Sequence, residues 1–192
     1  HRRWHNQDVR GVVMGLVFIS SQTASSDSSL DFTSGIDSTY NEYQFQFVNI
    51  HPSEHQEFCF QVDVGTDTDY DQTITSTFFA AAHAEDDGGT PNVFYEGNHD
   101  QGQGTSLQHL SSNFQSASND SSLSGSMTLF DPSSPTYVKH FMATTSYFQQ
   151  DPAAFVAHTA GYINTTTAIT RIRFAMDSGN IDEGTIYMYG VG

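Results

Sequence analysis

Tyr43-Gln44-Phe45-Gln46-Phe47 and, after a short connector, Phe58-Cys59-Phe60-Gln61-Val62-Asp63-Val64 are the stretches that decide the fold class. In the first, every aromatic ring falls on one side of an extended chain and every amide on the other, which is the period of a half-buried strand. The second places Phe58, Phe60, Val62 and Val64 on one face. Between them His51, Pro52, Ser53 and Glu54 do not sit easily inside a ladder, so the two runs read as neighbouring antiparallel strands.

Working outward, further β-type runs open the chain at Leu16 to Ile19 and Leu30 to Phe32. Others follow at Thr73 to Ala82, Ser124 to Phe130, Tyr137 to Thr145, Phe155 to Ile163, Ala168 to Met176 and Gly184 to Tyr189. Asp86-Asp87-Gly88-Gly89, Asp131-Pro132-Ser133-Ser134-Pro135 and Ser178-Gly179-Asn180 separate them with turn chemistry. Helical periodicity is nearly absent. About nine or ten strands are too many for one flat sheet and suit two packed sheets. The expected fold is therefore all-β: an antiparallel β-sandwich, jelly-roll-like, over residues 14–192, preceded by a basic N-terminal arm at 1–13. Residues 85–119, rich in Gly, Ser, Asn and Gln, form a long loop excursion, the kind of segment that tends to carry partner contacts.

Composition narrows function. There are 22 acidic residues against 6 basic ones, a net charge of −16, and after Met14 the only cations of the Lys and Arg type are Lys139, Arg171 and Arg173. Such a body repels phosphate backbones and anionic lipid, so neither nucleic acid nor membrane is expected as a partner. Aromatic residues at 13% supply enough apolar surface to offset the entropy of ordering, so the chain folds. Arg2, Arg3 and Arg10 ahead of the apolar run Val12 to Ile19 imitate a secretory leader, but the run is short and contains Gly15. A basic arm leading into a first strand accounts for it. No stretch approaches the roughly 20 apolar residues of a membrane-spanning helix.

The single Cys59 excludes an intrachain disulfide and reads as a small packed residue. His51 and His55 are split by Pro52, no H-x-H occurs, and His83, His99, His109, His140 and His158 fall in different segments, so no metal ligand set is nominated. Asp67-Thr68-Asp69-Tyr70-Asp71 opens like a calcium loop. It then fails the motif, with Gln72 where glycine belongs and Phe78 where a bidentate glutamate belongs, and reads as a solvated acidic turn. Serine nucleophile, paired-carboxylate and phosphate-loop signatures are all missing or unspecific. The expectation is a protein with no catalytic residues and no cofactor.

Several blocks resemble one group of proteins. Ser21 to Ser26, Leu30-Asp31-Phe32-Thr33-Ser34-Gly35-Ile36-Asp37-Ser38-Thr39-Tyr40 and Tyr43 through Asn49-Ile50-His51-Pro52 are similar to tailed-bacteriophage virion proteins common in aquatic phages. So are Leu123-Ser124-Gly125 through Leu129-Phe130-Asp131-Pro132-Ser133-Ser134, Val138-Lys139-His140-Phe141, Gly161-Tyr162 with Asn164 to Ile169, and Ser178 to Tyr189-Gly190. The resemblance implies a structural, capsid-decoration or tail-fibre β-domain on the phage particle surface, with no site to carry over. Residues 1–13 lie outside it, and Arg2, Arg3 and Arg10 are left as a tether to an acidic neighbour.

The expected partners are copies of the same chain, as a symmetric ring or trimer, together with the major capsid or tail proteins. A carbohydrate-binding module that recognises host surface glycan through Tyr95 or Tyr147 is the alternative, and a small hydrolase on a β scaffold the third reading. Fold alone does not separate these.

Overall fold

The computed structural model describes residues 15–88, 91–112, 120–149 and 153–192; the expected arm at 1–13 lies outside these. Thirteen strands follow one another without a helix among the described residues. In chain order they are β1 (Leu16–Thr23), β2 (Leu30–Phe32), β3 (Glu42–Pro52), β4 (Phe58–Val64), β5 (Ile74–Ala84), β6 (Asn92–Tyr95) and β7 (Gly102–Gly104). After them come β8 (Gln108–His109), β9 (Leu123–Phe130), β10 (Lys139–Gln149), β11 (Ala153–Ile163), β12 (Ile169–Met176) and β13 (Ile181–Val191).

They form an antiparallel sandwich of a nine-stranded sheet, β1-β13-β3-β9-β10-β11-β5-β6 with β7 also on β5, and a four-stranded sheet, β2-β12-β4-β8. Early strands alternate between the sheets. β13 inserts between β1 and β3, while β12 inserts between β2 and β4, which is the rolled-up order of a jelly roll with extra strands extending one sheet.

The alternation at Tyr43-Gln44-Phe45-Gln46-Phe47 is realised as β3, with Tyr43, Phe45 and Phe47 turned inward. The pairing expected for it is not. β3 and β4 lie in different sheets and face each other across the core, where the Phe47 and Phe58 rings meet edge-on with centroids 5.1 Å apart. The connector through Pro52 is a crossing between layers rather than a hairpin. Phe174 of β12 is the hub, in contact with Phe32, Phe45, Phe47 and Phe58. Burying each such ring contributes about 1.5–3 kcal/mol, so this cluster clamps the two sheets together.

β4 is buried on both faces: beside the expected Phe58, Phe60 and Val62, the polar Gln61 and Asp63 are fully enclosed. Their needs are met by what lies over them. Gln61 Nε2 reaches the carbonyls of Gln72, Thr105 and Ser106 at 3.0, 3.2 and 3.1 Å. The Asp63 carboxylate accepts from the Val64 and Tyr70 backbone N–H groups at 2.9 and 3.0 Å. The turn after β4 and the described part of the excursion around Thr105 and Ser106 therefore lie over these polar groups. That excursion also carries β6, β7 and β8, three short strands that the sequence did not announce.

Lys139 opens β10 on its inward side and is fully buried. Its ammonium donates to the carbonyls of Ser134, Tyr137 and Thr165 at 2.6, 2.9 and 3.2 Å, so each of its three protons has an acceptor. A bulge offsets β3 against β13, where Asn49 takes a left-handed φ of 53° opposite Gly184 at 116°. A side chain at Gly184 would meet the Asn49 carbonyl oxygen at 2.6 Å, so glycine is required there.

Candidate functional site

Two features stand out, one broad and one compact. The broad one is the outer face of the nine-stranded sheet, which no other element of the described chain covers. Strand registers align its outward residues in rows. One row runs from Phe18 and Tyr189 through Gln44 and Thr128 to Met142 and Ala160. The next runs from Tyr187 through Gln46, Ser126 and Thr144 to His158 and Phe79. Neither row contains a carboxylate. Glu42, at the start of β3, and Glu183 of β13, opposite His51, stand at its margins. Met142 is 60% exposed, Phe18 56% and Phe79 43%, and the His158 ring stacks on Phe79 at 4.9 Å. In a chain of net charge −16 this face is set apart by having almost no charge.

The compact feature joins Glu57, His99 and His109 at a corner where the excursion folds onto the sheets. Glu57 precedes β4 and is pinned by reciprocal hydrogen bonds with Asp177: its N–H donates to Asp177 Oδ1 at 2.9 Å, and the Asp177 N–H donates to its carbonyl at 3.0 Å. His109 lies on β8 opposite Cys59, held there because the Leu110 N–H donates to the Phe58 carbonyl at 2.7 Å. His99 follows a turn in which its N–H donates to the Glu96 carbonyl at 3.0 Å, and its own carbonyl accepts from Gln108 Nε2 at 2.8 Å.

The side chains converge. His99 Nε2 stands 3.0 Å from Glu57 Oε1, His109 Nε2 stands 3.5 Å from Glu57 Oε2, and the imidazole centroids are 4.9 Å apart. All three side chains are largely enclosed, at 11% exposure for His99, 19% for Glu57 and 22% for His109. Burial pushes the His99 imidazole down, but the hydrogen bond and charge of Glu57 outweigh it and leave the ring above its ordinary value. His109 is held below its ordinary value, chiefly by burial, with Glu57 opposing. Cys59 is fully buried beneath this corner, and burial, reinforced by Asp177 and Glu57, pushes its thiol well up.

No family model matches the chain, and no curated protein matches it. A solved structure from Bacteroides ovatus, of unknown function, aligns with 53% of this chain and 45% of its own at 8% identity and a TM-score of 0.30, which carries no argument about this one. The chain spans less than half the length of that structure in the alignment.

The acidic turn is where the sequence put it, between β4 and β5, with Asp67, Asp69 and Asp71 exposed. They are not brought together: among the described residues the one group with metal-binding geometry is Glu57, His99 and His109. His51 instead contacts the Ser121 carbonyl through Nδ1 at 2.7 Å, and His83 pairs with Asp87 at 3.3 Å on the surface. Of the two expected aromatic platforms, Tyr95 is 60% exposed with its hydroxyl bonded to the Asp100 carboxylate. Tyr147 is not one. It is buried at 3%, bonded through its hydroxyl to Ser112, and burial pushes its phenol up to about 12. The signal was in the sequence, since Tyr147 shares parity with the inward Phe141, Ala143 and Thr145. The Glu57, His99 and His109 group had no such signal, because three separate segments supply it.

Proposed function

We propose that this chain is a non-enzymatic structural protein of the bacteriophage virion surface, a capsid-decoration or tail-fibre component that self-assembles through the outer face of its large sheet. The observation that carries the reading is the near-absence of charge on that face. Copies of a chain at −16 repel one another wherever carboxylates meet, and this is the surface on which they do not. Its size fits as well. Eight strands in series at about 4.8 Å spacing, each contributing roughly seven residues at about 3.4 Å, make a face on the order of 800 Å². That matches the roughly 800 Å² per partner of a standard stable interface. The family resemblance of the sequence blocks supplies the virion assignment.

Sedimentation of the full chain tests the assembly. A discrete oligomer is expected, and Ser126→Glu, which plants a carboxylate in the middle of the outer face, should shift it to monomer while leaving the fold intact. A chain that stays monomeric at every concentration overturns the proposal. The exposed Tyr95 would then make a glycan array the next measurement.

A further inference from the structure

We propose that Glu57, His99 and His109 form a binding site for a divalent transition metal of the zinc class, with its fourth coordination position open to solvent.

The spacing of the donor atoms is the first argument. Ligands at 2.0–2.1 Å from a tetrahedral zinc ion stand roughly 3.3 Å from each other. Here the two imidazole nitrogens lie 3.0 and 3.5 Å from the oxygens of the shared carboxylate, and the donor atoms of all three residues fall within 4.8 Å of one another. Small rotations of side chains admit the ion without moving the backbone, which is tied down at Glu57 by Asp177 and at His109 by the β4 to β8 pairing.

The second argument is a proton in an awkward place. His99 Nδ1 is buried, has no hydrogen-bond partner, and sits 3.6 Å from Glu96 Oε2. When neutral His99 donates through Nε2 to Glu57, Nδ1 presents a bare lone pair to the Glu96 carboxylate, which is repulsive. A metal on Nε2 fixes the other tautomer. Nδ1 then carries the proton and points it at Glu96, the carboxylate that metal-bound histidines ordinarily have behind them.

The donor set chooses the ion. Two imidazoles and one carboxylate suit zinc, cobalt, nickel or ferrous iron, whereas calcium asks for six to eight oxygens. His99 and His109 also line a surface cavity of about 390 Å³, together with Asn98, Asp100 and Gln101. It gives water or an exchangeable ligand access to the fourth position, and the acidic body raises the local cation concentration.

The full chain, stripped with a chelator, should be titrated with Zn²⁺ by calorimetry and with Co²⁺ by visible absorption. One equivalent with the intense d–d bands of tetrahedral cobalt is expected. His109→Gln should weaken binding by at least about tenfold. Glu57→Gln, which keeps the shape of the side chain, should do the same and guards against a folding defect in the first variant. His83→Gln, at an exposed histidine of β5 that pairs with Asp87 and is no part of the trio, should change nothing. Absence of binding, or binding that survives unchanged in both site variants, overturns the proposal and leaves the trio as two histidine–carboxylate pairs.

Discussion

Arg173 grips Asp31 with two parallel hydrogen bonds, Nε to Oδ1 at 2.9 Å and Nη2 to Oδ2 at 2.6 Å, directly across the β12 to β2 ladder. The Tyr70 ring lies under the guanidinium at 4.0 Å. Because the register puts these two residues opposite each other, the pair fastens the short edge strand β2, whose three residues otherwise offer little ladder. Arg173→Lys keeps the charge but loses both the fork and the stacked plane. The pair is about a third exposed, so the expected loss is modest, about 1 kcal/mol, read as a lower urea midpoint with an unchanged slope.

Lys139 predicts a larger effect. Lys139→Met preserves volume yet removes the donor from the buried Ser134 carbonyl and from the part-buried carbonyls of Tyr137 and Thr165. A buried orphaned acceptor costs about 1–3 kcal/mol, so a loss of about that size, set mainly by the Ser134 carbonyl, is expected in denaturant unfolding. A near-neutral result would mean that water replaces the ammonium.

Asp37 governs part of the acid limb. The Thr39 N–H donates to its Oδ1 at 2.7 Å, the Tyr43 hydroxyl lies 3.1 Å from the same oxygen, and hydrogen bonding from Thr39 holds the carboxyl below its ordinary 3.8. The unfolded chain takes up this proton first, so the contribution is whole above pH 3.8 and is lost as pH falls through the folded value. Urea midpoints for Asp37→Asn and wild type should therefore differ near neutrality and converge below that pH. A gap constant with pH would show that the charge of the carboxylate is not the cause.

The proposed self-association through a nearly uncharged face has its own salt signature. Added salt screens the repulsion between acidic bodies without weakening any interfacial ion pair, so sedimentation should show stronger association at 0.5 M than at 0.05 M sodium chloride. An assembly that falls apart in salt would instead rest on charge pairs.

Much of the fold was written in local pattern. β10 and β11 alternate so regularly that burial follows parity, β3 does so up to its bulge at Asn49, and β2 was placed to the residue. What the pattern could not convey was partnership. β4 looked like a strand with one wet face because Gln61 and Asp63 are polar, and only distant carbonyls and amides make that face dry. The tripeptide Gly102-Gln103-Gly104 and the dipeptide Gln108-His109 have no apolar rhythm; they are strands because β5 and β4 offer them open edges. The corner histidines were visible singly. Their meeting with Glu57 is a product of the tertiary fold, which no spacing along the chain encodes.

Cys59 sits at that same corner, buried on β4 beside His109 of β8. A sealed thiol is a clock. Alkylating reagents can reach it only in the moments when this corner opens, so the labelling rate of native protein times that local opening, with no engineered probe and no second cysteine to confuse the reading.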